Sequence, residues 1–304
     1  IFADFMTQKT LSRTYSFWGK ALHSGCYSHM NIKPAPADTG IVFVRTDKKV
    51  EIRALAENVS STARSTTISN GRVSVGTVEH VLSALTGLGV DNAIIEIDNK
   101  EVPILDGSAR FYIEKMAADP LVDQGVERKW VEIRDEIFLE NRKTGSYLRI
   151  TPSETPSIEV TIDFNSRVLG VQTVRWTPDV DFATEIAPCR TFCFFHEIKH
   201  MLMLGLVKGG DVENAIVIVE KPISEKMLSK MAKSFNQPLL SVTPEGYLSN
   251  LELRFPDECG RHKLLDVMGD MRLAGGFLKA RVEAYKPGHA INTETAKLIR
   301  QNLK

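Results

Sequence analysis

Val78-Glu79-His80-Val81-Leu82-Ser83-Ala84-Leu85-Thr86-Gly87-Leu88-Gly89 leads within a few residues into Ala93-Ile94-Ile95-Glu96-Ile97, and this passage sets the class of fold. Val78, Val81, Leu82 and Leu85 fall on one stripe at helical spacing, so a helix is expected over 78–86, stopped by Gly87 and Gly89. The run that follows is short, apolar and rich in β-branched residues, which predicts a buried strand over 93–97. Another helix is expected over 108–117. The same order returns downstream. Arg261-His262 opens a helix with Leu264, Leu265, Met268 and Leu273 as its apolar stripe, Gly275-Gly276 ends it, and 277–284 reads as a strand before a terminal helix over 293–303. The pattern is α+β, and the recurrence points to an internal duplication.

The chain has 304 residues, 43% hydrophobic and 25% charged, which is enough for two moderate cores. Residues 118–129 combine proline, glycine and charge with little apolar periodicity and read as a linker. A boundary near residue 125 follows, with domains over 1–125 and 126–304. A strand over 189–192, a helix with a glycine-rich turn over 194–210 and a strand over 214–219 would form a βαβ insertion in the second domain. Lys and Arg total 38, as do Asp and Glu, so no global field would gather nucleic acid or an anionic membrane. No apolar run reaches the ~18 residues that span a bilayer, and no signal-peptide pattern opens the chain. A cytoplasmic monomer is expected. The five residues before Met6 read as a remnant ahead of a native start, and the chain stops just after its terminal helix, where a fusion partner would join.

Cys26, Cys189, Cys193 and Cys259 follow neither a disulfide framework nor a CxxC spacing and are expected to be reduced. Cys189 and Cys193 read as packing positions on one face of a strand. His262, Asp266 and Asp270 stand at i, i+4 and i+8 on one helix, nearly in line along a face. A histidine and a carboxylate one turn apart can share a metal, but a solvated polar face has the same spacing, and the residues alone leave both readings open. His196-Glu197-Ile198-Lys199-His200 is a literal HExxH, which makes a zinc protease the rival. No third histidine follows at the metzincin spacing, and Glu220 closes a strand rather than standing on a second helix. A solvent-facing helix accounts for the motif.

Longer motifs separate these readings. Thr77-Val78-Glu79-His80-Val81-Leu82-Ser83-Ala84-Leu85, Arg190-Thr191-Phe192, Gly205-Leu206-Val207-Lys208-Gly209-Gly210, Arg261-His262-Lys263-Leu264-Leu265-Asp266 with Gly269-Asp270, and Pro287-Gly288-His289 occur in this order. With Leu22-His23-Ser24-Gly25, Asp91-Asn92 and Pro103-Ile104-Leu105-Asp106-Gly107-Ser108, the chain from about residue 8 to its end resembles the UDP-3-O-acyl-N-acetylglucosamine deacetylases of lipid A synthesis in Gram-negative bacteria.

The resemblance implies two similar α+β domains stacked with helices sandwiched between their sheets. It also implies hydrolysis of the substrate acetamide to UDP-3-O-acyl-glucosamine and acetate. His80, His262 and Asp266 would hold Zn2+, with Fe2+ as the alternative in cells, and three protein ligands with an open position describe a catalytic site. Glu79 would take the water proton, and Thr191 would stabilise the oxyanion. His289, expected in a loop, would act as the charged acid, held by Asp270. Lys263, expected to point off the ligand face, would meet a diphosphate or sugar hydroxyl. Phe192 would stack on the glucosamine ring, Glu197 would contact substrate, and the insertion near 190–220 would receive the acyl chain, although core packing explains its apolar content as well. Residues 60–67, with Arg64, depart from the pattern and leave acyl selectivity open. A catalytically dead sugar-nucleotide binder would be expected to lack Glu79, Thr191 or His289, and all three are present. A non-haem iron oxygenase fits a two-histidine, one-carboxylate set, but not the accompanying base, threonine and acid.

Overall fold

The computed structural model describes the backbone of residues 7–203, 214–234, 237 and 239–303. The glycine-rich run 205–210 lies outside them. Two five-strand arrays share one topology. In the first, strands Tyr15–Lys20, Tyr27–Pro34, Ala93–Ile97, Ile41–Arg45 and Val50–Arg53 lie side by side in that order. Ala93–Ile97 is central, antiparallel to Tyr27–Pro34 and parallel to Ile41–Arg45. In the second, the order is Ile137–Asn141, Ser146–Pro152, Leu278–Tyr285, Ser157–Asp163 and Val171–Trp176. Here Leu278–Tyr285 is central, antiparallel to Ser146–Pro152 and parallel to Ser157–Asp163. In both, the last strand of the chain inserts between the second and third. A parallel neighbour requires a crossover, and each crossover carries a long buried helix. The duplication read from two short motifs therefore extends to the strand order of both sheets.

Seven helices are described: α1 (Glu79–Leu88), α2 (Arg110–Met116), α3 (Phe182–Glu185), α4 (Phe195–Met203), α5 (Glu225–Ser234), α6 (Glu258–Met271) and α7 (His289–Asn302). The crossover helices α1 and α6 pack on one another, and α6 also meets α7 and the strands Ser157–Asp163 and Val171–Trp176. Every residue from Glu79 to Leu85 is buried, as are Leu264 to Met271. Helices covered on all sides lie between layers, so their polar side chains must find partners in the interior.

Glycine permits the contact. A Cβ on Gly269 would stand 2.0 Å from the carbonyl oxygen of Glu79. The bare backbone lets α1 and α6 approach until the polar ends of both helices share one space. Gly87 behaves differently from expectation. It lies inside α1, where a Cβ would stand 2.1 Å from the ring of Phe182 on α3, and Gly89 ends the helix in the left-handed region at φ 83°.

Other expectations are revised. The stretch 118–129 contains a strand, Val122–Glu127, which pairs antiparallel with Thr7–Thr10, and Val131–Glu132 then joins the central strand of the second sheet. The last helix starts at His289 rather than 293, because extended Gly288 caps it and the Gly288 carbonyl accepts from the Asn292 amide. The βαβ insertion is present, with Phe192–Phe194 parallel to Ile216–Ile218 around α4. Its first strand begins at Phe192 because residues 189–191 are tied elsewhere: Arg190 N donates to Glu258, and Thr191 N donates to the Gly107 carbonyl. Ile216 and Ile218 face the main core, while Val217 and Val219 join Met231, Leu240 and Leu248 in a small core of the insertion.

Gly269→Ala should force the helices apart and destabilise the chain by about 2 kcal/mol or more in chemical denaturation, since overpacking against backbone has no side chain to yield. Gly288→Ala, with nothing within 4 Å of its Cβ, should cost under about 1 kcal/mol as the loss of a favoured N-cap residue. Equal effects would contradict the close crossing.

Candidate functional site

Three side chains from distant segments converge where α1 meets α6. His80 comes from the first turn of α1, His262 and Asp266 from successive turns of α6. Their ligand atoms all lie within 4.8 Å of one another, and all three residues are buried. His262 Nε2 is 3.4 Å and His80 Nε2 3.7 Å from Asp266 Oδ1. Among the described residues no other set of His, Cys, Asp and Glu gathers this way.

The surroundings fit a metal ion. His262 Nδ1 lies 3.1 Å from the Cys189 carbonyl, so it is the ring nitrogen that carries the proton, and Nε2 keeps its lone pair toward Asp266. Asp266 Oδ2 accepts from Lys263 Nζ at 2.8 Å, but Asp266 Oδ1 is buried with no hydrogen-bond partner. An orphaned carboxylate oxygen facing two imidazole nitrogens is costly without a cation. Burial lowers the pKa of His262. Burial and the neighbouring His262 ring take His80 down to about 3, so both rings are neutral and able to bind metal near neutral pH. Burial works against ionisation of Asp266, yet His262 and Lys263 outweigh it and hold the carboxyl well below the usual range.

A second cluster abuts the first. His289, the first residue of α7, has Nδ1 3.0 Å from Asp270 Oδ2 and Nε2 3.8 Å from Glu79 Oε1. Asp270 also accepts from Thr66 Oγ1 at 2.6 Å and Asn292 Nδ2 at 2.9 Å. Thr66 N donates to Glu79 Oε2 at 3.0 Å, so one threonine ties the two carboxylates together. Burial alone would lower the His289 pKa, but Asp270 and Glu79 bring it up to about 9. Burial raises Glu79 to about 8, aided by Asp270 and Asp266 and opposed by His289. Both groups are thus shifted upward, Glu79 by burial and His289 by its two carboxylate neighbours.

Lys263 does not point away from the ligands, since its ion pair with Asp266 turns it inward one helical turn on. Its Nζ also lies 5.6 Å from the Phe192 ring centroid, and that ring is 6.3 Å from the His262 ring. Thr191 directly precedes Phe192 and is pinned by its amide to Gly107, where a Cβ would stand 1.8 Å from the Asn214 carbonyl oxygen. Glu197 is engaged locally, accepting from Phe194 N at 3.3 Å at the start of its own helix. The His196 ring lies 5.4 Å from the Phe194 ring at a tilt of 34°, and the side chain of His200 lies outside the described residues.

Thr66, Asn292 and the Cys189 carbonyl complete the site without belonging to any of the sequence motifs. Asn292 follows His289 at helical spacing, a signal hidden by starting the helix four residues late. A main-chain acceptor and a loop threonine leave no pattern to read.

A sequence model of the UDP-3-O-acyl N-acetylglycosamine deacetylases matches residues 8–237 and 230–301. The chain belongs to this family. It is 37% identical over 301 residues to a protein of Bacteroides thetaiotaomicron named bifunctional enzyme LpxC/FabZ, covering 98% of this chain and 65% of that one. A protein of the same name from Porphyromonas gingivalis is 38% identical over 299 residues, again covering 98% and 65%. The UDP-3-O-acyl-N-acetylglucosamine deacetylase of Myxococcus xanthus is 39% identical over 298 residues, covering 97% of this chain and 85% of the relative. The chain thus spans just under two thirds of the bifunctional relatives.

The imidazole of His80 supplies a pH test in metal-free protein. Its folded pKa is depressed from 6.5 to about 3, so its stabilising contribution is complete above 6.5 and is lost as pH falls through that window. The unfolding free energy of wild type minus that of His80→Gln should therefore decrease from pH 6.5 to 4. A flat or rising difference would contradict the buried, neutral ring.

Proposed function

We propose that the chain hydrolyses the acetamide of UDP-3-O-acyl-N-acetylglucosamine, releasing acetate and UDP-3-O-acyl-glucosamine in lipid A synthesis. Zn2+ would be held by His80, His262 and Asp266, with Fe2+ as the alternative in cells. The observation that carries this reading is the placing of a base and a charged acid beside the triad. Glu79 adjoins His80 in the chain, and His289 lies 3.8 Å from Glu79. Bound there, zinc supplies Lewis acidity to the carbonyl, acidifies water, and favours the ionised form of Glu79.

The chain's own groups then divide the proton transfers. Glu79, fixed by Thr66, accepts the proton of the attacking water. His289, kept charged by Asp270, stabilises the developing oxyanion and protonates the leaving amine. The Thr191 hydroxyl is a further oxyanion donor. Lys263 orients Asp266 and presents its charge beside Phe192, and Phe192, Lys263 and Glu197 are the substrate contacts. The insertion near 190–220 would receive the acyl chain. In this reading the protein is a cytoplasmic monomer of two domains meeting near residue 125.

Acetate and free amine should be released from UDP-3-O-acyl-N-acetylglucosamine, cease on chelation and return with zinc. Glu79→Gln should lower kcat by at least about 10²-fold with zinc retained, in the range typical of general-base loss. Zinc content should collapse in His262→Ala and persist in His196→Ala. Near-wild-type kcat in zinc-loaded Glu79→Gln would remove the base, and zinc kept in His262→Ala would remove the site.

A further inference from the structure

The C-terminal end of α1 lies about 15 Å along the helix from Glu79. A cavity of about 270 Å3 opens there, lined by Gly40, Arg53, Asp91, Lys129, Arg272 and Arg300 among others. None of the triad or proton-transfer residues lines it. Its walls come from both halves of the chain: Arg53 ends a strand of the first sheet, Arg272 follows α6, and Arg300 stands on α7.

The charges here are unbalanced in a chain whose formal net charge is zero. Lys129 pairs with Asp38 at 2.9 Å, Arg300 with Glu57 at 2.7 Å, and Asp91 with Arg128 at 2.7 Å. Two guanidiniums are left without a carboxylate. Arg53 donates to the Thr39 carbonyl at 3.1 Å, and Arg272 to the Val90 and Asp91 carbonyls at 2.9 and 3.0 Å. Arg272 is only 5% exposed, and its Nη1 has no hydrogen-bond partner. Its guanidinium lies 4.2 Å from the Phe277 ring centroid, and Arg128 lies 4.1 Å from the same ring, so two like charges share one aromatic ring. Burial lowers the Arg272 pKa to about 10, Asp91 opposing and Arg128 reinforcing the shift. A guanidinium in this setting gains from any anion that enters the cavity.

We propose that the cavity binds a small phosphate group, as inorganic phosphate or a phosphomonoester, held by Arg53 and Arg272. Two guanidiniums that line one cavity without a carboxylate partner suit a tetrahedral oxyanion. The volume, just below that of pockets taking drug-sized ligands, suits a small anion. Because the two arginines belong to different halves, the bound anion fastens one to the other at the end of α1 away from Glu79.

The test uses the full chain. Melting temperature and calorimetric titration are followed with inorganic phosphate, glycerol 3-phosphate, acetate and chloride at equal ionic strength. Phosphate should give a saturable rise in Tm, since binding to the folded state alone stabilises it. Arg53→Gln, at an exposed position, should weaken binding at least about tenfold, whereas Lys263→Ala, which alters the catalytic cleft, should leave it unchanged. Binding of glycerol 3-phosphate alone would identify the ligand as a phosphomonoester, and binding of both would identify phosphate itself. A rise that follows ionic strength for every salt would overturn the proposal. So would acetate equalling phosphate, or binding lost in Lys263→Ala and kept in Arg53→Gln.

Discussion

The carbonyl of Glu79 occupies the space where any side chain on Gly269 would begin, and the consequences of that contact run through the molecule. It brings the start of α1 against the last turns of α6 at backbone distance. His80 and Glu79 thereby reach the row formed by His262, Asp266 and Asp270. Each helix alone carries an incomplete set: α1 has one histidine and one glutamate, α6 one histidine and two aspartates. The paired sheets bury both helices, and burial makes the polar set chemically unusual.

Burial acts on the two clusters in opposite senses. In the triad it strips protons from histidines and leaves an aspartate oxygen unpartnered, a combination that stores affinity for a cation. In the neighbouring cluster it favours uncharged Glu79, while Asp270 keeps His289 charged. Both clusters are fixed by groups outside them. The Cys189 carbonyl orients His262, and Thr66 and Asn292 orient Asp270. The buried pair of Arg190 with Glu258 ties the loop before Phe192 to the first turn of α6. The ligands thus stand on two packed helices, where positions are held more closely than on loops, and the wall beside them is tied to one of the two.

Much of this was legible in the residues. The stripe of Val81, Leu82 and Leu85, the glycine stops and the buried strands gave the helices and the α+β class, because periodicity follows directly from which face is buried. The i, i+4, i+8 row on α6 was visible too, but spacing alone could not distinguish a metal site from a wet surface. Burial distinguishes them, and burial is a property of the tertiary packing. The strand at 122–127 leaves no signal in the sequence because its residues are mostly exposed and lack alternation. Gly87 has the residue type of a helix stop, and only the packing shows that Phe182 lies where its side chain would be. The inward turn of Lys263 follows from one ion pair, which residue order leaves undetermined.

The central claim is that one metal is shared by the two halves of the chain. Anomalous diffraction at the zinc edge from zinc-loaded crystals tests it most directly. The account predicts a single peak within about 2.0–2.2 Å of His80 Nε2, His262 Nε2 and an oxygen of Asp266, the usual zinc distances for such ligands. A peak bound instead to His196 on α4, with the triad empty, would contradict it.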